Sequence, residues 1–304
     1  MKKRRIIGVF LLGLITTLFV GNLSSCGGPE PDDGDSTDTV EELAAKLNAP
    51  LNQKQYTQGE VIDIEVEVID ASKVNELRLL IDGKLYQNLE KESQTIHFDT
   101  KGFKLGDIAI QLAYKQNDGI VRSDNRQITI FSNITPATKT VSVVNRFPHN
   151  PESYTQGFEF YNCELYEGTG QWNKSKLQQI TMANNGQILR AYPIPTDQFG
   201  EGITILNDTI YQLTYKAGIC YLYDMEFKPI GQFSYSDEGW GLCNDGKSII
   251  MSDGTHRIEW RDPQTFQVQK TIEVYDNFEG ILNVNELEMY NGNLLANVYR
   301  ENYI

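Results

Sequence analysis

Four residue classes are scarce in this 304-residue chain, and each shortage removes a class of chemistry. There are only three histidines, His97, His149 and His256, each isolated. Only four cysteines occur, and none forms a Cys-x-x-Cys pair. Together these exclude a zinc constellation of the usual spacing. Beyond Cys26 the remaining three, Cys163, Cys220 and Cys243, are an odd number, and the last two fall in apolar strand patterns that suit buried thiols. Basic residues are outnumbered, 27 against 41 acidic ones, for a net charge of −14. Four of the bases lie in the first five residues, so the body is more acidic still, which argues against nucleic-acid binding. The longest apolar run, Ile6 to Val20, is shorter than the roughly 20 residues of a membrane span and fits the h-region of a secretion signal.

That run ends in Leu23-Ser24-Ser25-Cys26, which resembles the lipobox of bacterial lipoproteins. The resemblance implies a signal peptide over 1–25 and lipidation of Cys26 as the first mature residue. It places the protein in the cell envelope, anchored to the membrane through lipid, on the periplasmic side or at the surface. Residues 26–42 contain Gly27-Gly28-Pro29-Glu30-Pro31-Asp32-Asp33, with no apolar side chain to bury, and read as a flexible acidic tether.

Residues 43–133 read as a β-sandwich. Val61 to Val68 alternates apolar and acidic side chains, the period of a strand with one wet face. Leu77 to Ile81 runs into Asp82-Gly83, a hairpin signal, and Ile108 to Tyr114 and Ile128 to Phe131 are later strands. The unit resembles the immunoglobulin-like modules that precede catalytic domains in bacterial surface proteins, with a spacing role. Tyr56-Thr57-Gln58-Gly59 repeats the letters of Tyr154-Thr155-Gln156-Gly157, and in the first domain it needs only to form a turn.

After a polar linker the second domain, 141–304, carries a repeat. A polar or aromatic residue followed by glycine leads into a strand at Gln156-Gly157, Glu201-Gly202 and Trp240-Gly241, and Asn285-Glu286 takes the corresponding place in a fourth copy. The glycines are spaced by 45 and then 39 residues, a period typical of β-propeller blades. Residues just before the innermost strands then converge on the mouth of the central channel. Val141 to Phe147 reads as a strand that completes a last blade. At about 40–45 residues per blade the domain holds fewer than four, so the last blade is expected to be missing. The fold class is all-β: a sandwich followed by an incomplete propeller.

Seven ordered motifs carry a family resemblance: Phe147-Pro148-His149, Tyr154-Thr155-Gln156-Gly157, Leu165-Tyr166-Glu167-Gly168-Thr169-Gly170, Phe199-Gly200-Glu201-Gly202, Gly239-Trp240-Gly241-Leu242, Ser252-Asp253-Gly254-Thr255 and Asn285-Glu286-Leu287-Glu288. Over these, residues 143–304 resemble the plant-type glutaminyl cyclases, or glutamine cyclotransferases. The resemblance implies a five-bladed propeller that converts the N-terminal glutamine of peptides and proteins to pyroglutamate with release of ammonia. It implies no cofactor and no metal. It places a general acid–base at Glu201. Gln156 and Asn285 then hydrogen-bond the carboxamide or the ammonium, Glu286 holds the α-amine by charge, and Tyr154, Phe199 and Trp240 form aromatic walls. Tyr215 and Tyr299 stand where the family commonly has Trp, and Tyr154 where it usually has Phe. The family's late motif, which includes a lysine, is absent, so the chain is expected to be truncated at its C-terminus. The rival expectation is a non-catalytic surface propeller that binds a peptide or glycan.

Overall fold

The alternation of Val61–Val68 is realised directly: Ile62, Ile64 and Val66 are buried, while Val61, Asp63 and Glu65 face water. The structure, a computed structural model, describes residues 43–182 and 186–304. The expected signal peptide, the lipidated Cys26 and the tether lie outside the described residues. Leu43–Ile304 forms one unit, built of strands and turns with a short 3-10 turn at Ala71–Lys73.

Its first part is made of β1 (Ala45–Ala49), β2 (Lys54–Thr57), β3 (Val61–Val68), β4 (Val74–Ile81), β5 (Lys84–Asn88), β6 (Gln94–Asp99), β7 (Gly106–Gln116) and β8 (Val121–Phe131). They form a three-stranded sheet, β1-β3-β6, and a five-stranded sheet, β2-β8-β7-β4-β5, in which β2 and β8 run parallel. Leu47, Ile64 and Phe98 from one sheet meet Leu79, Ile110 and Leu112 from the other in a continuous apolar core. Each such side chain contributes about 1.5–3 kcal/mol on full burial. Asp82 and Gly83 both adopt positive φ, 48° and 72°, as a two-residue hairpin turn demands.

The second part contains three four-stranded meanders and a hairpin. The first is β9 (Thr155–Tyr161), β10 (Glu164–Thr169), β11 (Lys176–Ile180) and β12 (Ile188–Pro193). The second is β13 (Gly200–Leu206), β14 (Thr209–Thr214), β15 (Ile219–Tyr223) and β16 (Pro229–Ser234). The third is β17 (Leu242–Asn244), β18 (Ile249–Ser252), β19 (Arg257–Arg261) and β20 (Val268–Glu273), and the hairpin is β21 (Val284–Tyr290) with β22 (Asn293–Val298). The innermost strands β9, β13, β17 and β21 neighbour one another in that order. The turn after the innermost strand recurs in three blades as a pair of positive-φ residues, Asn162-Cys163, Asn207-Asp208 and Asn291-Gly292.

The repeated glycine is a packing requirement. A Cβ on Gly157 would lie 2.6 Å from the Ile203 backbone nitrogen, and one on Gly202 2.7 Å from the Leu242 nitrogen. On Gly241 it would lie 2.1 Å from the Asn285 carbonyl oxygen. Each blade therefore touches the next backbone to backbone, and no side chain fits between. The strand expected over Val141 to Phe147 does not form: no strand lies between β8 and β9, and Val141, Val143, Val144 and Phe147 are exposed. Alternation there records β-propensity, but no sheet edge is paired with it. The two parts touch where Phe131 stacks on Tyr275, centroids 6.0 Å apart, and where the Ser132 N–H donates to the Asp276 carbonyl at 2.9 Å.

Candidate active site

Strand parity builds the site. Gln156, Glu201, Trp240 and Asn285 each precede the glycine or its equivalent, so their side chains project opposite to it, and all four line one cavity of about 430 Å³. Tyr154 and Phe199, two residues earlier, line it too, with Tyr215 and Tyr299 from the ends of the second strands. The framework is a repeated backbone rung. Gly170 N–H donates to Tyr154 O at 2.7 Å, Tyr215 N–H to Phe199 O at 2.9 Å, and Tyr299 N–H to Asn283 O at 2.8 Å. Side-chain hydroxyls add to it: Ser175 Oγ accepts from Gly200 N–H at 2.9 Å, and Ser252 Oγ accepts from Gly241 N–H at 2.7 Å while donating to Asn285 O.

The aromatic wall is a chain of edge contacts. Tyr154 meets Phe199 (6.2 Å between centroids), Phe199 meets Tyr215 (6.1 Å), Tyr215 meets Trp240 (6.4 Å) and Trp240 meets Tyr299 (5.7 Å). Such geometry favours the ring quadrupoles and stiffens the wall. The Trp240 indole N–H donates to Glu238 Oε2 at 3.0 Å, and Lys216 Nζ lies 3.3 Å from Glu238 Oε1.

Glu201 sits in this wall only 6 % exposed. Burial, aided by the nearby Glu238 carboxylate, pushes its carboxyl up to about 9. The group therefore holds its proton at neutral pH. A neutral carboxyl in an aromatic-walled cavity can donate a proton and accept one back, which is the requirement for general acid–base work near pH 7.

Glu286 is the one expected site residue that the structure keeps off this wall. It stands in the glycine's place in the fourth repeat and lines an adjacent cavity of about 360 Å³ with Gly157, Phe158 and Glu288, a cavity that Gln156 and Asn285 also border. Both its oxygens are shielded from solvent. Burial holds its carboxyl well above the usual range, and the backbone N–H groups of Phe158 and Leu242 offset this only in part. Its carboxyl thus lies beside the aromatic wall and not in it, and burial favours its protonated form.

Thr155, Trp172 and Arg300 line the cavity and were not foreseen. Trp172 packs edge-on against Phe199 at 5.8 Å. Their signal was positional: Thr155 opens β9 between two expected residues, and Trp172 and Arg300 lie in turns that follow the second strands. Cys220 and Cys243 are buried thiols, as expected, and Cys163 is exposed. Among the described residues no group of three or more His, Cys, Asp or Glu side chains could hold a metal ion.

Comparison with known proteins bears on the same region. A family model for glutamine cyclotransferase matches residues 119–304. A curated glutaminyl-peptide cyclotransferase of Arabidopsis thaliana is 32% identical over 169 residues, covering 54% of this chain and 52% of that protein. The chain thus spans about half the length of that relative. The crystal structure of Myxococcus xanthus glutaminyl cyclase is 27% identical, with a TM-score of 0.49 over 52% of this chain and 67% of the other. The family match runs through all four repeats and every residue that lines the cavity, and on that basis the chain belongs to the glutamine cyclotransferase family.

Proposed function

We propose that the cavity receives the N-terminal glutaminyl residue of a peptide or protein and closes it to pyroglutamate with release of ammonia. The reading is carried by one observation: a single buried carboxyl, Glu201, stands in a wall of aromatic rings and carboxamides with its pKa raised to about 9.

Cyclisation needs the α-amine neutral, because only its lone pair attacks the side-chain carboxamide. A free α-amine has a pKa of about 7.7–8.0, below that of the buried carboxyl. Once the amine has lost its proton to solvent it is nucleophilic, and Glu201, with the higher pKa, still holds its own. As the amine nitrogen bonds to the side-chain carbonyl carbon, Glu201 gives its proton to the carboxamide nitrogen. The C–N bond to that nitrogen then breaks and ammonia leaves. The proton shed by the attacking nitrogen returns to Glu201. One proton moves from amine to leaving group, and the carboxyl is restored.

Gln156 and Asn285, on either side of Glu201 around the mouth, supply carboxamides to hold the substrate's own carboxamide. Tyr154, Phe199, Tyr215, Trp240 and Tyr299 confine the side chain over the amine. Ring closure is intramolecular, so this confinement supplies a large part of the rate. The same proposal includes the envelope setting: Cys26 carries lipid, and the sandwich is an immunoglobulin-like module between membrane and propeller. Here the observation is the basic, apolar and Leu23-Ser24-Ser25-Cys26 sequence of the N-terminus.

Ammonia release from a Gln-initiated peptide tests the activity. Glu201→Gln is expected to lower kcat by about 10²–10⁴-fold, the usual worth of a general acid–base. Unchanged turnover would remove Glu201 from the reaction. Binding without turnover by the unaltered chain would return it to the class of non-catalytic surface propellers.

A further inference from the structure

Two cations in the blades that carry Tyr215 and Trp240 are neutralised by carboxylates. Lys216 pairs with Glu238 at 3.3 Å, and Arg257 pairs with Asp253 at 2.7 Å and Asp237 at 3.2 Å. Arg300 differs. It lines the cavity, it is exposed, and among the described residues it has no carboxylate partner. Its guanidinium lies 5.2 Å from the centroid of Tyr299, itself a wall residue, so the charge is held at the rim by a ring face. Its backbone adopts φ +70°, a conformation that costs an arginine energy and turns the chain back at the end of β22.

Glu201 is the other ionisable side chain of acid or base type in the wall, and it is neutral near pH 7. Among the described residues that line the cavity, Arg300 is therefore the one side chain with a full charge near pH 7, on a protein whose net charge is −14. A cation at that place disfavours a protonated α-amine, in keeping with the neutral amine that the reaction needs. It attracts an anion carried farther along the peptide.

We propose that Arg300 is a specificity-determining residue that reads a carboxylate one or two positions beyond the N-terminal glutamine. The inference rests on the reading of the cavity as a glutaminyl site. The carboxylate has two sources, an acidic side chain at the second residue or the free C-terminus of a short peptide. Arg300 binds it with two N–H groups of its planar fork, which a lysine cannot reproduce.

The test compares kcat/KM for four peptides: Gln-Glu-Ala-amide against Gln-Gln-Ala-amide, and Gln-Ala free acid against Gln-Ala-amide. Their affinities are measured in parallel by calorimetry on the slow Glu201→Gln variant. The acidic member of at least one pair is expected to be favoured about five- to twentyfold at low salt, falling as salt rises. The pair that shows it identifies the source. Arg300→Asn, neutral and at ease with positive φ, brings the ratio close to one, and Arg300→Lys keeps only part of it. Equal rates and affinities within both pairs, or a preference unmoved by Arg300→Asn, would overturn the assignment and leave the glutaminyl site standing. If no Gln-initiated peptide is bound or turned over, the glutaminyl reading itself falls, and the role of Arg300 with it.

Discussion

The sandwich and the propeller bury different things. Among the described residues the sandwich buries two polar side chains, Thr100 and Ser132, the latter at its junction with the propeller, beneath a core of nineteen apolar ones. The propeller buries eleven polar or charged residues, from Glu167 to Arg261. A buried polar group costs free energy unless it is paired, so the two regions answer to different demands. Most of the propeller's are paired. Glu167, fully buried, accepts from Thr155 Oγ1 at 2.6 Å and Gln178 Nε2 at 2.5 Å, and meets His149 Nε2 at 3.0 Å. Glu201 and Glu286 lack comparable partners, and burial dominates their protonation. The contrast separates a region built for stability from one where stability is surrendered at buried carboxyls, Glu201 and Glu286 foremost.

Three substitutions sharpen or break that contrast. Phe98→Ala in the sandwich core should cost about 3–5 kcal/mol in the first unfolding transition of a denaturant titration. Ammonia release below that transition should stay the same, and a parallel loss of activity would show that the parts are not independent. Gly241→Ala places a Cβ against the Asn285 carbonyl and should cost about 1–3 kcal/mol. That loss should fall on the propeller transition and raise KM by shifting Asn285. The smallest effect is electrostatic. The folded pKa of Glu286 lies above its unfolded value, so its contribution is fully present below about pH 4.5 and is lost as pH rises through the folded value. Glu286→Gln should therefore match the parent near pH 4 and be the more stable of the two by pH 8. A loss of stability at pH 8 would show the carboxylate is held by partners.

What the sequence revealed follows the same division. Period-two alternation in Val61–Val68 and the Asp82-Gly83 turn are local signals, and both appear in the fold as read. The propeller was legible through its repeat, because Gly157, Gly202 and Gly241 recur wherever one blade must touch the next. Sites are harder, since they depend on direction. Gln156, Glu201, Trp240 and Asn285 share one side of the inner strands and meet at one cavity. Glu286 is adjacent in sequence but belongs to the glycine side. Trp172 and Arg300 sit in turns, where no period announces them. Val141 to Phe147 has the letters of a strand and no edge to join, a fact that pairing alone decides.

The central claim is that Glu201 keeps its proton at neutral pH inside the cavity. Infrared difference spectra between the unaltered chain and Glu201→Gln, recorded from pH 5 to 10, report that proton through the carboxyl C=O band. The account predicts a protonated band that persists through pH 7 and disappears only near pH 9. A band lost by pH 5, with a carboxylate signal in its place, would contradict it.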